Sequence, residues 1–340
     1  MSTKGGRMKF GSCVIFGGAG FIGGHLAHEL LEQKIADRIF LADIAPLRPD
    51  FPFLNDERVT RVHVDVREKI SSGELPPHAD LIVNLAAVHR EPGHKPAEYF
   101  ETNLLGAENV CAWAGHAGCE RIIFTSSIAP YGPSEEEKSE TSLPVPVTAY
   151  GASKLAAEKI HIAWQSAAAS TRNLVIVRPG VVFGAGEGGN VTRLVKSLLR
   201  GYFFYMGNRQ TRKSGGYVKE LVQTMLWATQ RQQAGVLLYN FSQYPIPTVQ
   251  EYAETIQKVA GIRRRVFQAP YTLLYPVSWA MDSCARLFGL NQPVNPTRLR
   301  KLIRSNNIVP AVLQSEQYQN RFDLESALRD WKSERPEDWR

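Results

Sequence analysis

A chain of 340 residues, 44% apolar and 21% charged, can bury one large core or two coupled ones, and it carries no low-complexity stretch or repeat, which excludes a disordered class. The four cysteines, Cys13, Cys111, Cys119 and Cys284, sit singly without a CxxC pair; this weighs against zinc and redox motifs and fits buried thiols in a reducing cytoplasm. A net charge of +7 admits three anionic partners, namely nucleic acid, an anionic membrane surface or a phosphorylated small molecule, and does not choose among them.

Taken in chain order, the first apolar run, Cys13 to Phe16, is too short for a secretory signal. SCVIFGG (12–18) reads as a short strand broken by glycine, and FIGGHLAHELLEQ (21–33) has helical spacing. RIFLAD (38–43) is a second strand, and VTRVHVDV (59–66) alternates with a period of two. LIVNLAA (81–87), a helix near 97–116 and RIIFTSS (121–127) follow. The alanine-rich AYGASKLAAEKIHIAWQSAA (149–168) predicts a strong helix, and NLVIVRP (173–179) another strand. Strands alternating with helices predict parallel βαβ units with both sheet faces covered.

Beyond Gly180 the pattern loosens into shorter helices at 191–201, 217–230 and 248–261. The expected organisation is a dinucleotide-binding domain over 10–180 and a smaller substrate-facing lobe over 181–340. Segments near 217–245, including VLLYNFS (236–242), are expected to return to the first sheet.

GGAGFIG (17–23) places Gly17, Gly20 and Gly23 between a strand and a helix, the context in which a glycine loop binds a dinucleotide. Gly17 allows a tight turn, Gly20 lets a pyrophosphate approach the backbone, and Gly23 lets helix pack on strand; free N–H groups of the helix then face the anion. Asp43 ends the second strand, where an acid accepts from adenosine ribose hydroxyls and repels a 2′-phosphate, so NAD is expected over NADP, with Arg48 nearby as the counter-argument. Asp65 ends the third strand, placed either to accept from the adenine amino group or to cap a turn.

Tyr150 and Lys154 lie four apart, on one helix face, and a neighbouring ammonium favours phenolate, which suits proton transfer near neutral pH. An isolated pair of this kind is more often a surface pair. Ser127 ends the preceding strand, at the same carboxyl edge of a parallel sheet where the glycine loop opens, so serine, tyrosine, lysine and cofactor are expected to converge.

With GGAGFIG, Asp43, Asp65, LAA (85–87), TNLLGAENV (102–110), FTSSIAPYG (124–132), YGASK, RPGVVFG (178–184) and YVKELV (217–222) in order, the chain resembles the extended short-chain dehydrogenase/reductases of the nucleotide-sugar epimerase/dehydratase kind. The resemblance implies a Rossmann-type doubly wound α/β fold with a smaller C-terminal lobe. It implies that NAD is held by Gly17, Gly20, Phe21, Ile22, Gly23, Asp43, Asp65, Val66, Leu85, Ala86, Ala87, Asn103, Tyr150, Lys154 and Pro179, with Asn103 ordering a turn near the cofactor. Tyr150 would be the acid/base, Lys154 would bind the nicotinamide ribose, and Ser127 would polarise the reacting oxygen. The implied substrate is a nucleoside-diphosphate sugar touched by Ser126, Ser127, His89, Asn190, Arg212 and Lys213, the last two being either a diphosphate grip or a solvated basic loop. It also implies a homodimer joined through the helices near 97–116 and 149–168.

The family's dehydratases carry an Asp-Glu pair after this serine; here Ile128 and Ala129 follow, and neither transfers a proton, so dehydration is not expected. Gly180, Val181 and Val182 stand where many relatives have an asparagine, which leaves room for a 4-ketoreductase beside the expected UDP-sugar 4-epimerase. A 3β-hydroxysteroid-type dehydrogenase is the further alternative. His89 and His94 lack a third metal ligand nearby, so no metal is expected, and SEEEKSE (134–140) reads as a solvated loop. Pro276, Asp282 and Arg286 interrupt the longest apolar stretch (271–290), which is read as packing against the second lobe, or else lying on a membrane surface, and not as a membrane span. RLRKLIR (298–304) reads as a basic helix face. No nucleic-acid module is evident, and the intact Ser127, Tyr150 and Lys154 set argues against a catalytically dead regulator.

Overall fold

The computed structural model describes residues 8–340 apart from 72, 74, 92, 232–233, 271, 273, 277–278 and 280–302. Cys284, most of the apolar stretch 271–290 and most of 298–304 therefore lie outside the described residues. The chain divides into two compact units; the first runs through Gly132 and adds Leu143–Pro179 and Val218–Asn240, and the second holds Pro133–Ser142, Gly180–Tyr217 and Phe241–Arg340.

In the first unit, β1 (Phe10–Phe16) leads through the glycine loop into α1 (Phe21–Glu32), followed by β2 (Ala36–Asp43), β3 (Val59–His63) and β4 (Leu81–Asn84). Then come α2 (Pro96–His116), β5 (Arg121–Thr125) and a short 3₁₀ turn, Ala129–Tyr131. The later elements of the main sheet and its helices are α3 (Ala149–Ser166), β7 (Asn173–Pro179), α5 (Val218–Thr229) and β11 (Gly235–Phe241). The sheet order is β11-β7-β5-β4-β1-β2-β3, and the pairs β2–β3, β1–β2, β1–β4, β4–β5 and β5–β7 are all parallel. This is the Rossmann-type doubly wound arrangement, and VLLYNFS joins the first sheet as its edge strand. The order reverses between β1 and β4, which opens a crevice at the carboxyl edge where such folds bind ligands.

The strands form where the chain is β-branched and apolar, and those buried on both faces lose alternation: all of β4 is buried. The alternating stretch at 59–66 keeps ladder geometry only to His63, because its last residues turn toward α2, whose Asn109 donates to the Val66 carbonyl at 2.9 Å. Thr148 caps α3 by accepting from the Gly151 N–H at 3.1 Å, and Pro96 opens α2, where its missing N–H costs nothing. Phe16 meets Trp113 edge-on at 5.6 Å within a core built from β1, β4, β5, α2 and α3. Cys13, Cys111 and Cys119 are buried free thiols, and burial pushes Cys111 and Cys119 up to about 12, which leaves them inert.

The second unit contains β6 (Ser134–Lys138), β8 (Val181–Phe183), α4 (Asn190–Arg200), β9 (Tyr205–Met206), β10 (Gly215–Tyr217), α6 (Val249–Ala260), β12 (Gln268–Ala269), β13 (Asn306–Ile308), α7 (Ala311–Ser315) and α8 (Leu324–Glu334). Its strands pair two by two, β8 with β10, β9 with β12 and β6 with β13. The acidic run at 134–140 is therefore not a free loop. Glu135 accepts from the Ser305 N–H at 2.9 Å, and Glu140 accepts from Ala311 and Val312 at the start of α7, so its charges cap backbone from distant sequence. Phe183, Tyr217, Trp331 and Trp339 make the aromatic core of this unit. Among the described residues, no helix is long and apolar enough to cross a membrane.

Candidate active site

The glycine loop is shaped by crowding. Gly17 has φ +76°, and a Cβ there would lie 2.7 Å from the Ala86 nitrogen, while one on Gly23 would lie 2.7 Å from the Gly18 carbonyl oxygen. The loop thus rests backbone to backbone on Leu85 and Ala86, whose chain is fixed by the Leu85 N–H to Phe16 carbonyl bond at 2.8 Å. Gly20 is the N-cap of α1 and supplies no side chain; no acid occupies the first turn, so the N–H groups that Phe21 and Ile22 begin are open to an anion. Asp43 accepts from Ala19 N–H at 3.0 Å and Ala45 N–H at 2.9 Å, which locks its carboxylate beside the loop.

Arg48 is turned into Asp50, at 2.6 Å, which removes much of the counter-argument for a 2′-phosphate. Asp65 pairs with Arg67 at 2.5 Å and caps the turn through Arg67 N–H at 3.0 Å; the Arg67 guanidinium holds its carboxyl below the ordinary range. Of the two placements open for Asp65, this structure shows the turn. Two buried polar atoms end β4 and β5 without partners, Asn84 Oδ1 and Thr125 Oγ1. The cradle without Cβ atoms, the uncapped helix start and these orphaned atoms at one sheet edge fit a dinucleotide.

Gly17→Ala should force either backbone strain of roughly 1–3 kcal/mol or a retreat of the loop from Ala86. The expected result is a lower melting temperature together with weaker NAD binding by calorimetric titration. Unchanged values on both would mean the loop shifts freely and is no cradle.

The serine turn is an extension of the β5–β7 ladder: Ser126 N–H donates to the Val177 carbonyl at 2.7 Å and Ile128 N–H to that of Pro179 at 3.1 Å. Pro179 is placed here as an anchor for the turn. α3 closes on it because Gly151 has no side chain; a Cβ there would sit 2.7 Å from the Ala129 carbonyl oxygen. The glycine inside YGASK is the sequence signal for this contact. The closure packs the serine turn against the start of α3, and the Ser127 hydroxyl there favours the ionised form of the Tyr150 phenol.

Burial pushes Tyr150 up to about 12, against the lowering expected from the YxxxK spacing, with the Ser127 bond working the other way. The reason lies in where the ammonium goes. Lys154 Nζ sits 4.4 Å over the Phe124 ring, toward β5, and burial draws Lys154 down to about 7 while Glu158 pulls it up. Behind it, His161 stacks on Phe124 at 4.0 Å and burial lowers it to about 4, so it packs as a neutral ring.

Ser126 is not directed at a ligand. It is 3% exposed and donates to Glu158 Oε1 at 2.5 Å. Glu158 in turn receives two bonds from Arg178, at 2.8 and 2.6 Å, and Arg178 donates to the Tyr131 hydroxyl at 2.6 Å. This buried pair ties α3, the serine turn and β7 together, and nothing local in the sequence marks it. Asn103 is likewise buried; it accepts from Val88 N–H at 3.0 Å and donates to Val88 carbonyl and Ser153 Oγ, clamping the turn after β4 to α3.

His89 is exposed on the segment after β4, and His94 pairs with Glu98 at 2.7 Å. No group of three metal-binding side chains occurs among the described residues. In the second unit, Asn190 opens α4, exposed, and accepts from Arg193 at 2.6 Å. Arg212 donates to the Ile246 carbonyl at 2.7 Å and Lys213 to that of Arg304 at 2.6 Å, so both hold framework carbonyls there. Gly180 is required by contact, since a Cβ would lie on the Ser214 carbonyl.

Residues 13–240 match the NAD dependent epimerase/dehydratase family. The chain is 28% identical, over 93% of its length and 92% of the relative's, to the N-acetyl-alpha-D-glucosaminyl-diphospho-ditrans,octacis-undecaprenol 4-epimerase of Escherichia coli O157:H7. It is similar in structure to the UDP-N-acetylglucosamine 4-epimerase from Methanobrevibacter ruminantium M1, with a TM-score of 0.73 at 19% identity, covering 96% of this chain and 98% of that one. The Thermus thermophilus UDP-glucose 4-epimerase in complex with NAD gives a TM-score of 0.72 at 22% identity over 95% of this chain and 98% of that one. At these identities the two structures speak to the fold.

Proposed function

Because the chain belongs to the NAD dependent epimerase/dehydratase family, we propose that it is a 4-epimerase of a sugar carried on a diphosphate, with NAD as its resident cofactor and Ser127, Tyr150 and Lys154 as its catalytic set. The observation that carries this reading is the packing of the serine turn on the start of α3 at the carboxyl edge of the sheet, where the Ser127 hydroxyl works against the burial that raises the Tyr150 phenol. The Escherichia coli relative, matched over nearly its whole length, favours an N-acetylhexosamine. Its name attaches the diphosphate to a polyprenol, while the structural neighbours name UDP sugars, so both carriers belong to the proposal.

NAD, when bound, supplies the acceptor for the C4 hydride and its return. As phenolate, favoured by the Lys154 ammonium when it turns from the Phe124 ring toward the site, Tyr150 would take the proton of the C4 hydroxyl as that oxygen becomes a carbonyl. It would give the proton back from the resulting phenol when the hydride returns to the other face of the turned 4-keto sugar. Ser127 donates to the oxygen while charge develops on it. Lys154 would bind the nicotinamide ribose, and a hydrogen bond there would draw its ammonium off the Phe124 ring. Asp43 and the glycine loop are the groups for the adenosine ribose and the diphosphate. Ile128 and Ala129 offer no proton-transfer group for dehydration.

The reading carries a homodimer, a cytoplasmic place of action and a role in carbohydrate biosynthesis, with no nucleic-acid partner. Exposed Phe100 and Leu105 on α2 support the dimer face.

The test is to purify the protein, release its nucleotide by denaturation, and assay UDP-GlcNAc and undecaprenyl-diphospho-GlcNAc without added cofactor. Copurifying NAD and conversion of either substrate to its C4 epimer are expected. Net NADH consumption with a 4-keto sugar and no interconversion would replace the epimerase by a reductase.

A further inference from the structure

Within the second unit, the short β9–β12 ladder brings two separate loops together, through Tyr205 N–H to the Phe267 carbonyl at 2.8 Å. Both loops present aromatic rings to solvent: Tyr202 is 61% exposed and Phe267 73%. Trp279, farther along the chain, is 62% exposed. Ordinary surface apolar residues are scattered singly; here two large exposed rings lie on two loops that the ladder joins.

The same loops are basic. Arg200 ends α4 beside Tyr202, and Arg263, Arg264 and Arg265 precede Phe267, all exposed. The Arg264 guanidinium lies against Gly201, which fixes the arginine run next to the first loop. None of the three consecutive arginines makes an ion pair among the described residues. They line a shallow hollow of about 660 Å³ in which Glu254 is the one acid and Lys258 is already paired with Glu325.

We propose that this face docks on an anionic lipid bilayer, with Tyr202 and Phe267 entering the interface and Arg263, Arg264 and Arg265 on lipid phosphates. Tyrosine prefers the headgroup level, where its apolar ring and polar hydroxyl are both satisfied, and phenylalanine adds apolar area buried at the same depth. Guanidinium groups pair with phosphate oxygens in a two-pronged geometry. The arginines sit on one short irregular segment at a single shallow hollow and do not run along an extended channel, which favours a surface of headgroups over a strand of nucleic acid. The inference deepens the polyprenol-carrier reading above, because a lipid-borne sugar diphosphate is met at a bilayer surface.

The test is sedimentation of the whole protein with phosphatidylcholine vesicles with and without phosphatidylglycerol, at low and high salt. No sugar or cofactor is present, so failure here is separable from failure of the epimerase assay. The expected result is partition only to phosphatidylglycerol vesicles, reversed by salt. Each arginine near an anionic surface contributes about fivefold, so Arg263→Glu, Arg264→Glu and Arg265→Glu together should weaken partition at least roughly a hundredfold. Tyr202→Ser with Phe267→Ser should weaken it about tenfold, on the order expected for removing two rings from the interface. Both variants should keep a wild-type melting temperature. No partition to phosphatidylglycerol, partition indifferent to either variant, or binding of a single-stranded oligonucleotide without vesicle binding would each overturn the proposal.

Discussion

Tyr150→Phe should lower turnover by about three orders of magnitude while NAD still binds, since the proposed mechanism exchanges the substrate proton through the phenol oxygen. The ring remains, so packing against Tyr99, 6.0 Å between centroids, and the α3 backbone are kept. Ser127 would lose its phenol partner but keep its acceptor role for the Ala129 N–H at 3.1 Å. The measurement is kcat for epimerisation alongside calorimetric NAD titration. A variant with unchanged turnover removes Tyr150 from the mechanism; one that loses NAD binding to the same degree makes the tyrosine a structural residue. Ser127→Ala should fall less far, because it removes one hydrogen bond to the developing oxygen charge and no proton acceptor.

The second large effect is on stability. Arg178 and Glu158 side chains are 5% and 1% exposed, and each is neutralised chiefly by the other. Arg178→Met strands a carboxylate and Glu158→Gln strands a guanidinium, and breaking a buried pair on one side costs roughly 3–5 kcal/mol. The double variant removes both members of the pair and leaves only Lys154 without its counter-charge, so its loss should be well short of the summed single losses when all three are compared by chemical denaturation. Strictly additive losses would mean the pair is not coupled. Turnover should also fall in Glu158→Gln, because Ser126 donates to this carboxylate and Ser127 follows it; a shift of the turn on the order of 1 Å is enough for about a hundredfold. Such a loss with NAD binding retained marks Glu158 as a positioning residue for the serine turn.

The two results read different levels of the same place. In the proposed mechanism Tyr150 acts on the substrate, whereas Glu158 and Arg178 hold the turn that carries Ser127. Lys154 lies between these levels, its charge opposed by burial and favoured by Glu158. Removing the Glu158 charge therefore removes both an anchor for Ser126 and a counter-charge for Lys154.

The alternation of short apolar strands with helices, the glycines at 17, 20 and 23 and the acid at 43 are local signals, and local signals carry the Rossmann order because each βαβ unit is built from neighbouring sequence. For the same reason the meeting of Ser127 and Tyr150 could be read ahead of the structure, since parallel strands present their carboxyl ends on one edge. Tertiary structure decided what depends on distant partners. SEEEKSE became a strand because Asn306–Ile308 lies beside it, and Ser126 turned inward because Glu158 and Arg178 meet there. Arg212 and Lys213 went to framework carbonyls for a similar reason. The i,i+4 spacing of Tyr150 and Lys154 fixed a shared helix face but not the direction of the ammonium, and burial, a property of the whole packed core, set the phenol at about 12. Periodicity and glycine placement are properties of a segment, whereas burial and pairing are properties of the assembled chain, so the first were written in the sequence and the second came with the fold.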